Sequence, residues 1–330
     1  MSTFSTTAEL EARARISLRW LLLACAALVA VGYVTFIFWL YGSNDMLANR
    51  HSDGIPGAPG SPAVVHHLRG DVFVVSDRGM NVTVAAGRSG LLLVDTAEPP
   101  ALEALDKGLD RISSLPVRFI VNTHAHHDHM GGNAFFARDG ADIIATKAAA
   151  DLMRADLGEL VAPRNPAGFP LPNITFEDSY ELRLGDETVQ IVHIPDAHSP
   201  GDAVIRFVNA NVIVTGDAFV DEGLPYIADD LGMTIDGYLR GMLTIADMSD
   251  DETILVPGHG PAVDRGRLLE TYDRLKRIRD TVAFWKGLGV PQKFMLATYP
   301  TFAWPLRWHK YGVSQKWFAK VVYRTVEFSD

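Results

Sequence analysis

The chain has 330 residues, of which 48% are hydrophobic and 21% are charged. This composition is typical of a globular protein with one large domain or two ordinary ones, and it excludes a chain that is disordered throughout. The formal net charge of −10 gives no electrostatic support to a nucleic-acid partner, and we expect none. The one cysteine, Cys25, excludes an intrachain disulfide, so a metal site in the rest of the chain must rest on nitrogen and oxygen.

The first predicted element is an uncharged run at residues 20–41. It is long enough to cross a bilayer core of about 30 Å as a helix. Trp20 at one end, and Trp39 and Tyr41 at the other, suit the two membrane interfaces. Arginines precede the run within residues 1–19, so this segment is predicted to stay cytoplasmic. The rest of the chain would then be extracytoplasmic, which means periplasmic in a Gram-negative bacterium.

Two alternatives to this signal-anchor helix are open. A cleaved signal peptide has a shorter apolar stretch and a small-residue cleavage site, and Gly42-Ser43-Asn44 is a poor one. A buried core helix is the other alternative, but the run is apolar all round and a linker follows it. We therefore expect a single-pass membrane protein whose anchor is not cleaved.

Three further regions follow the predicted anchor. Residues 42–65 are rich in Gly, Pro, Ser and Asn, which predicts a linker without a core of its own. A compact domain is predicted at residues 66–290, and residues 291–330 form an aromatic and basic extension. An edge helix packed on the domain is the usual explanation of such a tail, and contact with a membrane surface is the alternative.

Short β-rich runs alternate with helical patterns along the domain, which predicts the α/β class. In its first part the predicted strands are at residues 72–75, 81–85, 91–94, 117–121 and 142–145, with helices at 99–115 and 147–160. In its second part the predicted strands are at 180–184, 189–193, 203–208, 212–215 and 253–256, with helices at 235–248 and 268–287. The two parts share a plan of hairpins, a helix and a strand that ends in a polar loop.

A dense cluster of histidine and aspartate follows the predicted strand at residues 117–121. Its sequence is His-Ala-His-His-Asp-His, from His124 to His129. Residues two apart point the same way in an extended chain, so His124, His126 and Asp128 are predicted to converge. His129 can join them if the chain turns at this point.

Three more candidate ligands lie beside glycine or proline at predicted strand ends: His198, Asp217 and His259. Imidazole and carboxylate are ligands that suit zinc, iron and manganese. A core role for the cluster is excluded because its ionisable groups would be buried without compensation. A surface histidine tract does not explain why the ligand types recur at later strand ends. The pattern therefore predicts a transition-metal site that activates water.

These residues resemble the signature of a known family. The run at residues 123–133, Thr-His-Ala-His-His-Asp-His-Met-Gly-Gly-Asn, resembles the His-x-His-x-Asp-His motif of the metallo-β-lactamase superfamily. His198, Asp217 and the Pro-Gly-His-Gly sequence at 257–260 match its later motifs in the right order. The resemblance covers about residues 66–265 and implies an αββα sandwich with the metals at one edge of two sheets.

The resemblance also implies a role for each ligand. The implied ligands are His124, His126 and His198 for a first metal ion, Asp128, His129 and His259 for a second, and Asp217 as the bridge. Two zinc ions are expected, with iron or manganese as alternatives. A water between the ions would be deprotonated near neutral pH, and Asp128, the predicted catalytic residue, would orient it.

Four other residues are predicted to support the ligands: Asp95, His127, Asn133 and His193. Asp95 resembles a family position that braces the site by hydrogen bonds. His127 stands at the variable position of the motif and is expected to support a ligand or face solvent. Asn133 is predicted to cap the helix after the cluster, and His193 to support the loop that leads to His198.

Departures from the family pattern favour one kind of chemistry. Class B β-lactamases with two zinc ions resemble this chain but carry Cys or Ser where Asp217 stands, and one subclass has a lysine in place of Val220. With aspartate at this position, the chain is more similar to the glyoxalase II, lactonase and phosphodiesterase branches. We therefore expect a dinuclear metal-dependent hydrolase of a small ester, thioester or lactone, with β-lactamase activity less favoured. The alternative is a mononuclear iron oxygenase of the persulfide dioxygenase type, which needs two histidines and one aspartate.

Overall fold

The structure is a computed structural model, and it describes residues 63–155, 170–221, 223–298 and 313–327. The predicted anchor at residues 20–41 and nearly all of the predicted linker lie outside these ranges. Within them, every helix is too short or too polar to cross a bilayer.

The first sheet combines an antiparallel half with a parallel half. Its strands, in spatial order, are β1 Val64–Arg69, β2 Val72–Asp77, β3 Met80–Ala86, β4 Leu91–Val94, β5 Val117–Val121, β6 Asp142–Thr146 and β7 Ile174–Phe176. Neighbours from β1 to β4 are antiparallel, as tight turns between short strands permit. Neighbours from β4 to β7 are parallel, so each of these connections must cross back over the sheet.

The second sheet is a five-stranded, mainly antiparallel sheet. Its strands are β8 Ser179–Leu184, β9 Glu187–His193, β10 Ala203–Phe207, β11 Val212–Gly216 and β12 Ile254–Pro257, in the spatial order β12-β11-β10-β9-β8. The last pair, β11 and β12, is parallel. The carboxyl ends of β11 and β12 therefore lie at one edge of this sheet, as those of β4 and β5 do in the first.

Helices make up the crossovers and the C-terminal part of the described chain. They are α1 Leu102–Asp110, α2 His127–Met130, α3 Asn133–Phe136, α4 Lys147–Ala155, α5 Ile235–Met248, α6 Arg265–Gly287, α7 Gln292–Thr298 and α8 Gln315–Thr325. The helices α5, α6 and α8 each follow a residue whose side chain accepts a hydrogen bond from the first turn: Thr234, Asp264 and Ser314.

The two sheets and the helices on their outer faces form four layers. Three groups of buried side chains fill the spaces between these layers. Between the sheets, strands of both contribute apolar residues, such as Leu92 and Val121 from one and Ile205 and Val214 from the other. The outer face of the first sheet packs against α1, and that of the second packs against α5, α6 and α8. The α/β class with two packed sheets is confirmed, and it places the polar strand ends along one edge.

Three of the differences from the predicted elements concern the first sheet and the helix beside it. Val64 and Val65, within the predicted linker, belong to β1, which pairs with β2 along its whole length. The short strand β7 was not predicted. The helix predicted at residues 99–115 is shorter, because the two prolines at its start form a 3-10 turn and α1 ends at Asp110.

Candidate metal centre

Three histidines form the first half of the candidate centre. His124 follows β5 and His198 lies in the turn between β9 and β10. Nδ1 of His126 lies 3.0 Å from Nε2 of His124 and 2.9 Å from Nε2 of His198. These ring nitrogens lie close enough together to hold one metal ion. The carboxyl end of β5 in the first sheet and the turn between β9 and β10 in the second sheet therefore meet at one point.

The second half combines an aspartate with two histidines. Oδ2 of Asp128 lies 3.2 Å from Nε2 of His259 and 3.7 Å from Nε2 of His129. His259 follows β12, whereas Asp128 and His129 lie on the short helix α2. These three ligand atoms form a second group that could hold a metal ion.

Asp217, directly after β11, lies between the two halves. Its Oδ1 lies 3.5 Å from Nε2 of His129, and its Oδ2 lies 3.6 Å from Nε2 of His259. The same Oδ2 lies 3.9 Å from Nε2 of His198, in the other half. A carboxylate in this place can reach metal ions in both groups.

The two halves differ in charge. Burial and the neighbouring histidines hold the pKa of His124 well below its ordinary value. Burial and the ring of His198 lower the pKa of His126 to about 3. Both imidazoles are therefore neutral at physiological pH, which is the form in which histidine binds a metal.

In the second half, neighbouring carboxylates together have the largest effect on the charge of the histidines. Burial favours the neutral form of His129, but the carboxylates of Asp217, Asp128 and Asp95 raise its pKa to about 10. Burial likewise opposes ionisation of Asp217, yet His259 and His129 keep the pKa of its carboxyl below the usual value. The carboxylates of this half therefore favour positive charge at its centre, which is what a bound cation requires.

Two buried atoms support a fit to metal ions. Nε2 of His129 and Oδ1 of Asp217 are buried without a hydrogen-bond partner. Buried polar atoms are rarely left without partners in folded proteins. Nδ1 of His126 also faces Nε2 of His124 and Nε2 of His198 at 3.0 and 2.9 Å, and ring nitrogens that converge in this way require a shared proton or a cation. The nitrogen and oxygen donors present are those that zinc accepts.

Asp95 supports ligands of both halves of the centre by hydrogen bonds. Its Oδ2 accepts a hydrogen bond from Nδ1 of His129 at 2.8 Å and from Oγ1 of Thr123 at 2.8 Å. Its Oδ1 accepts one from the backbone N–H of Thr123 at 2.8 Å. Oγ1 of Thr123 in turn lies 3.0 Å from Nδ1 of His124. One buried carboxylate therefore orients a histidine from each half.

The turn that carries His198 is held by two partners. Oδ2 of Asp202 accepts hydrogen bonds from the backbone N–H groups of His198 and Ser199, at 2.6 and 2.8 Å. Nδ1 of His198 lies 2.9 Å from the backbone carbonyl oxygen of Tyr226, so it donates there and leaves Nε2 facing the centre. His193 lies nearby, with Nε2 at 2.9 Å from the carbonyl oxygen of Pro200.

Gly258 provides the space in which Asp217 and His129 approach each other. A Cβ atom at this position would lie 2.4 Å from Oδ1 of Asp217 and 2.6 Å from Cε1 of His129. Gly258 also donates to the carbonyl oxygen of Gly216 and accepts from the backbone N–H of Asn81, each at 2.9 Å. Its lack of a side chain is therefore required by the packing of the centre.

The structure brings all seven predicted ligands together, but two local predictions need correction. Asp128 does not converge with His124 and His126 along an extended chain, because the chain turns into α2 at His127 and directs Asp128 towards His259. Asn133 does not cap a helix. Its amide instead exchanges hydrogen bonds with that of Asn122, at 2.8 and 3.1 Å.

Of the other supporting candidates, Asp95 and His193 make the contacts described above. His127 lies outside both halves of the centre and is partly buried. Sequence reasoning missed the supporting residues Thr123, Asp202 and Tyr226. Asp202 could have been found, because an aspartate soon after Ser-Pro-Gly is a turn signal. Tyr226 acts through its backbone carbonyl, which no sequence pattern reports.

The chain was compared with known proteins. It is 25% identical over 217 residues to the 2,4-dinitroanisole O-demethylase subunit alpha of Nocardioides sp. (strain JS1661), covering 63% of this chain and 61% of that protein. It is 28% identical over 156 residues to a hydroxyacylglutathione hydrolase of Gloeobacter violaceus, covering 46% of this chain and 50% of that protein. The matches thus span less than two thirds of either relative.

The chain also matches a solved structure and a family model. The structure of a metallo-beta-lactamase from Pontibacter korlensis superposes with a TM-score of 0.54 at 18% identity, covering 65% of this chain and 99% of that one. This similarity shows the fold. The family model described as the metallo-beta-lactamase superfamily matches residues 75–275, which include every residue of the candidate centre. The chain therefore belongs to the metallo-beta-lactamase superfamily.

Proposed function

We propose that this protein is a metal-dependent hydrolase with a dinuclear site, and that it acts on an ester, a thioester or a lactone. The observation that carries the proposal is the position of Asp217. Its two carboxylate oxygens reach towards three histidines drawn from both groups of possible ligands, at 3.5 to 3.9 Å. This arrangement suits a carboxylate shared by two cations better than a site for a single ion.

The proposed ligands are His124, His126 and His198 for one ion, Asp128, His129 and His259 for the other, and Asp217 for both. Zinc is the first choice, because the donors are neutral imidazole and carboxylate, with iron or manganese as alternatives. When bound, such ions lower the pKa of a coordinated water towards neutrality and act as Lewis acids on a carbonyl oxygen.

The protein's own contribution begins with the orientation of the histidine rings. Nδ1 of His129 faces Asp95, that of His198 faces the carbonyl oxygen of Tyr226, and that of His259 lies 3.2 Å from the carbonyl oxygen of Gly79. In each ring these partners hold the proton on Nδ1 and direct the lone pair of Nε2 into the centre. Hydrogen bonds of this kind fix the tautomer and raise the basicity of a metal-binding histidine.

Asp128 is the proposed catalytic residue. Its side chain is 35% exposed, whereas those of His129 and Asp217 are 3% and 13% exposed. It is therefore the carboxylate of the centre most open to solvent. We propose that it accepts a hydrogen bond from the attacking water and orients it towards the substrate, while a water at the centre supplies the proton to the leaving group.

Two observations favour the proposed substrate class. A relative whose name is hydroxyacylglutathione hydrolase supports hydrolysis, and Asp217 in place of Cys or Ser argues against a typical dizinc β-lactamase. Another relative, the 2,4-dinitroanisole O-demethylase subunit alpha, is named for a different reaction. A small-molecule substrate is common to these names, and we propose one here.

Metal analysis and turnover on the same preparation test the proposal. We expect two equivalents of zinc per chain, and hydrolysis of a member of a panel of esters, thioesters, lactones, phosphodiesters and β-lactams. Asp217→Ala should lower the metal content and reduce turnover to background. The matched control is Asp247→Asn, at an exposed position of α5, which should change neither quantity.

Two results would contradict the proposal. A single iron per chain, with oxygen consumption on a persulfide and without hydrolysis, would favour the mononuclear oxygenase. A protein that stays free of metal after saturation with zinc, iron or manganese would remove the basis of both functions.

We also propose that residues 20–41 hold the protein in a membrane, with the hydrolase domain on the extracytoplasmic side. The support is the length and uncharged composition of this segment and the arginines that precede it.

A further inference from the structure

Two stacked aromatic rings lie beside the first half of the metal centre. The rings of Tyr226 and Trp317 have centroids 5.1 Å apart and an interplanar angle of 14°. The ring of Tyr226 also meets the imidazoles of His126 and His198 edge-on, each with a centroid distance of 5.7 Å. The stack therefore begins at the candidate ligands and leads away from them.

The two rings come from different parts of the chain. Tyr226 lies in the connection between β11 and α5, whereas Trp317 lies in α8, beyond the residues that the superfamily model matches. The helix α8 is anchored independently of the stack, because Phe318, Val321 and Val322 are fully buried in the core beside the second sheet. The position of Trp317 is thus set by the core packing of its own helix.

Polar contacts also join α8 and Val313, two residues before it, to the Tyr226 connection. Arg324 forms an ion pair with Asp229. The backbone N–H of Val313 donates to the carbonyl oxygen of Leu224 at 3.4 Å. The C-terminal segment therefore holds both rings in place, and it adds the ring of Trp317 to residues that the superfamily model matches.

We propose that the Tyr226–Trp317 stack is a substrate-binding wall that holds an uncharged, flat apolar group of the substrate beside the bond that is cleaved. This inference rests on the proposed hydrolase function and extends it to the substrate. Both rings are only partly buried, so a face or edge can be offered to a ligand. Small-molecule sites are lined mainly by apolar and aromatic side chains, with few polar groups, and flat groups pack well on aromatic rings.

Two carboxylates near the wall, those of Asp229 and Asp230, disfavour an anionic group there. Asp229 is paired with Arg324, whereas Asp230 is exposed. These carboxylates disfavour a carboxylate or phosphate group of the substrate on the face of the wall away from the metal centre, and they have no such effect on a neutral aryl group.

A purely structural role for the stack is the competing explanation. In that case Trp317 would only fasten α8 to the Tyr226 connection, and any loss of its packing would harm all substrates alike. The variants Trp317→Leu and Trp317→Phe separate the two explanations, because leucine removes the flat ring and phenylalanine keeps one. Val322→Ala is the matched control, since it loosens the same helix without touching either ring.

The first experiment measures binding without turnover, on metal-loaded and on metal-free protein. Saturation-transfer NMR and titration would use 2-naphthol as the uncharged flat probe and 2-naphthoate as the anionic one. We expect 2-naphthol to bind more tightly than 2-naphthoate to the metal-free protein. Trp317→Leu should weaken the binding of 2-naphthol about tenfold, or about 1.4 kcal/mol, whereas Trp317→Phe and Val322→Ala should change it less than about threefold.

The second experiment compares 2-naphthyl acetate with ethyl acetate on the metal-loaded enzyme. Trp317→Leu should raise KM for the naphthyl ester about tenfold with kcat nearly unchanged, and should leave both constants for the ethyl ester as they are. Equal losses on both esters, or the same KM change in Val322→Ala, would overturn the wall. Tighter binding of 2-naphthoate than of 2-naphthol to the metal-free protein, where no metal ion can attract the carboxylate, would overturn its charge preference.

The two proposals fail separately. Ring-dependent binding of 2-naphthol without hydrolysis of any ester would support the wall and contradict the hydrolase. Hydrolysis that does not depend on the ring at position 317, together with unchanged naphthol binding, would support the hydrolase and overturn the wall.

Discussion

Nδ1 of His129 lies 2.8 Å from Oδ2 of Asp95, although 34 residues separate them in the chain. The contact joins the end of β4 to the helical turn that follows β5, two strands that run parallel and side by side. Asp95 has a positive φ of 64°, a backbone conformation in which aspartate and asparagine are among the favoured residues. The local backbone thus turns the carboxylate back towards the metal centre.

Asp95→Asn should weaken metal binding about 10-fold to 100-fold, because the amide loses one acceptor oxygen and can no longer hold both His129 and Thr123. Competition with a chromogenic chelator measures the change. Asp196→Asn is a close control, since Asp196 also has a positive φ, of 62°, but is exposed. Equal affinity in the wild type and in Asp95→Asn would show that this carboxylate does not orient a ligand.

Gly258→Ala should destabilise the fold by about 1–3 kcal/mol and lower the metal content, because a Cβ at this place overlaps Asp217 and His129. Chemical unfolding and elemental analysis measure the two effects. Gly266→Ala is the control, because the nearest atom to its added Cβ is Oδ1 of Asp264, at 3.2 Å, the end of a side chain. A Gly258→Ala protein with full metal content would contradict the close approach.

Asn122 and Asn133 form a buried reciprocal amide pair beneath α2, and each should cost about 1–3 kcal/mol of unfolding free energy when replaced by alanine. The cost arises because the remaining amide is left buried without its partner. The double variant should cost less than the sum of the two single variants. Urea unfolding of all four proteins gives the coupling, and strict additivity would argue against a direct interaction.

Removal of residues 1–53 should move the protein from the membrane fraction to the soluble fraction and leave turnover intact. The cut falls before the compact unit that begins at Gly54, and it leaves β1 whole. Sedimentation of membranes from cells that express each form, followed by immunoblotting, measures the distribution. Full-length protein in the soluble fraction would remove the proposed anchor. Truncated protein in the membrane fraction would indicate a second membrane contact.

Sequence patterns were most informative where the structural cause is local. The strands β4, β5 and β11 are short apolar runs between turns, and their limits were predicted within a residue or two. The ligands could be selected for the same reason, because polar residues that follow such strands stand at a sheet edge. The backbone conformation of the histidine cluster was predicted less well. An extended chain was expected, with alternate side chains on one side, but the chain turns into α2 at His127.

The sequence alone determined the class of fold, the seven candidate ligands and the kind of chemistry they suit, because strand ends and ligand spacing are encoded over a few residues each. The family resemblance already implied how the ligands divide into two groups with Asp217 between them. Only the tertiary structure decided the distances between these ligands, the link that Asp95 and Thr123 make between the two halves, and the contact of Trp317 with Tyr226. These relationships depend on the packing of two sheets and of a helix far along the chain. Contacts of that range follow from the burial of whole surfaces, which no short stretch of sequence specifies.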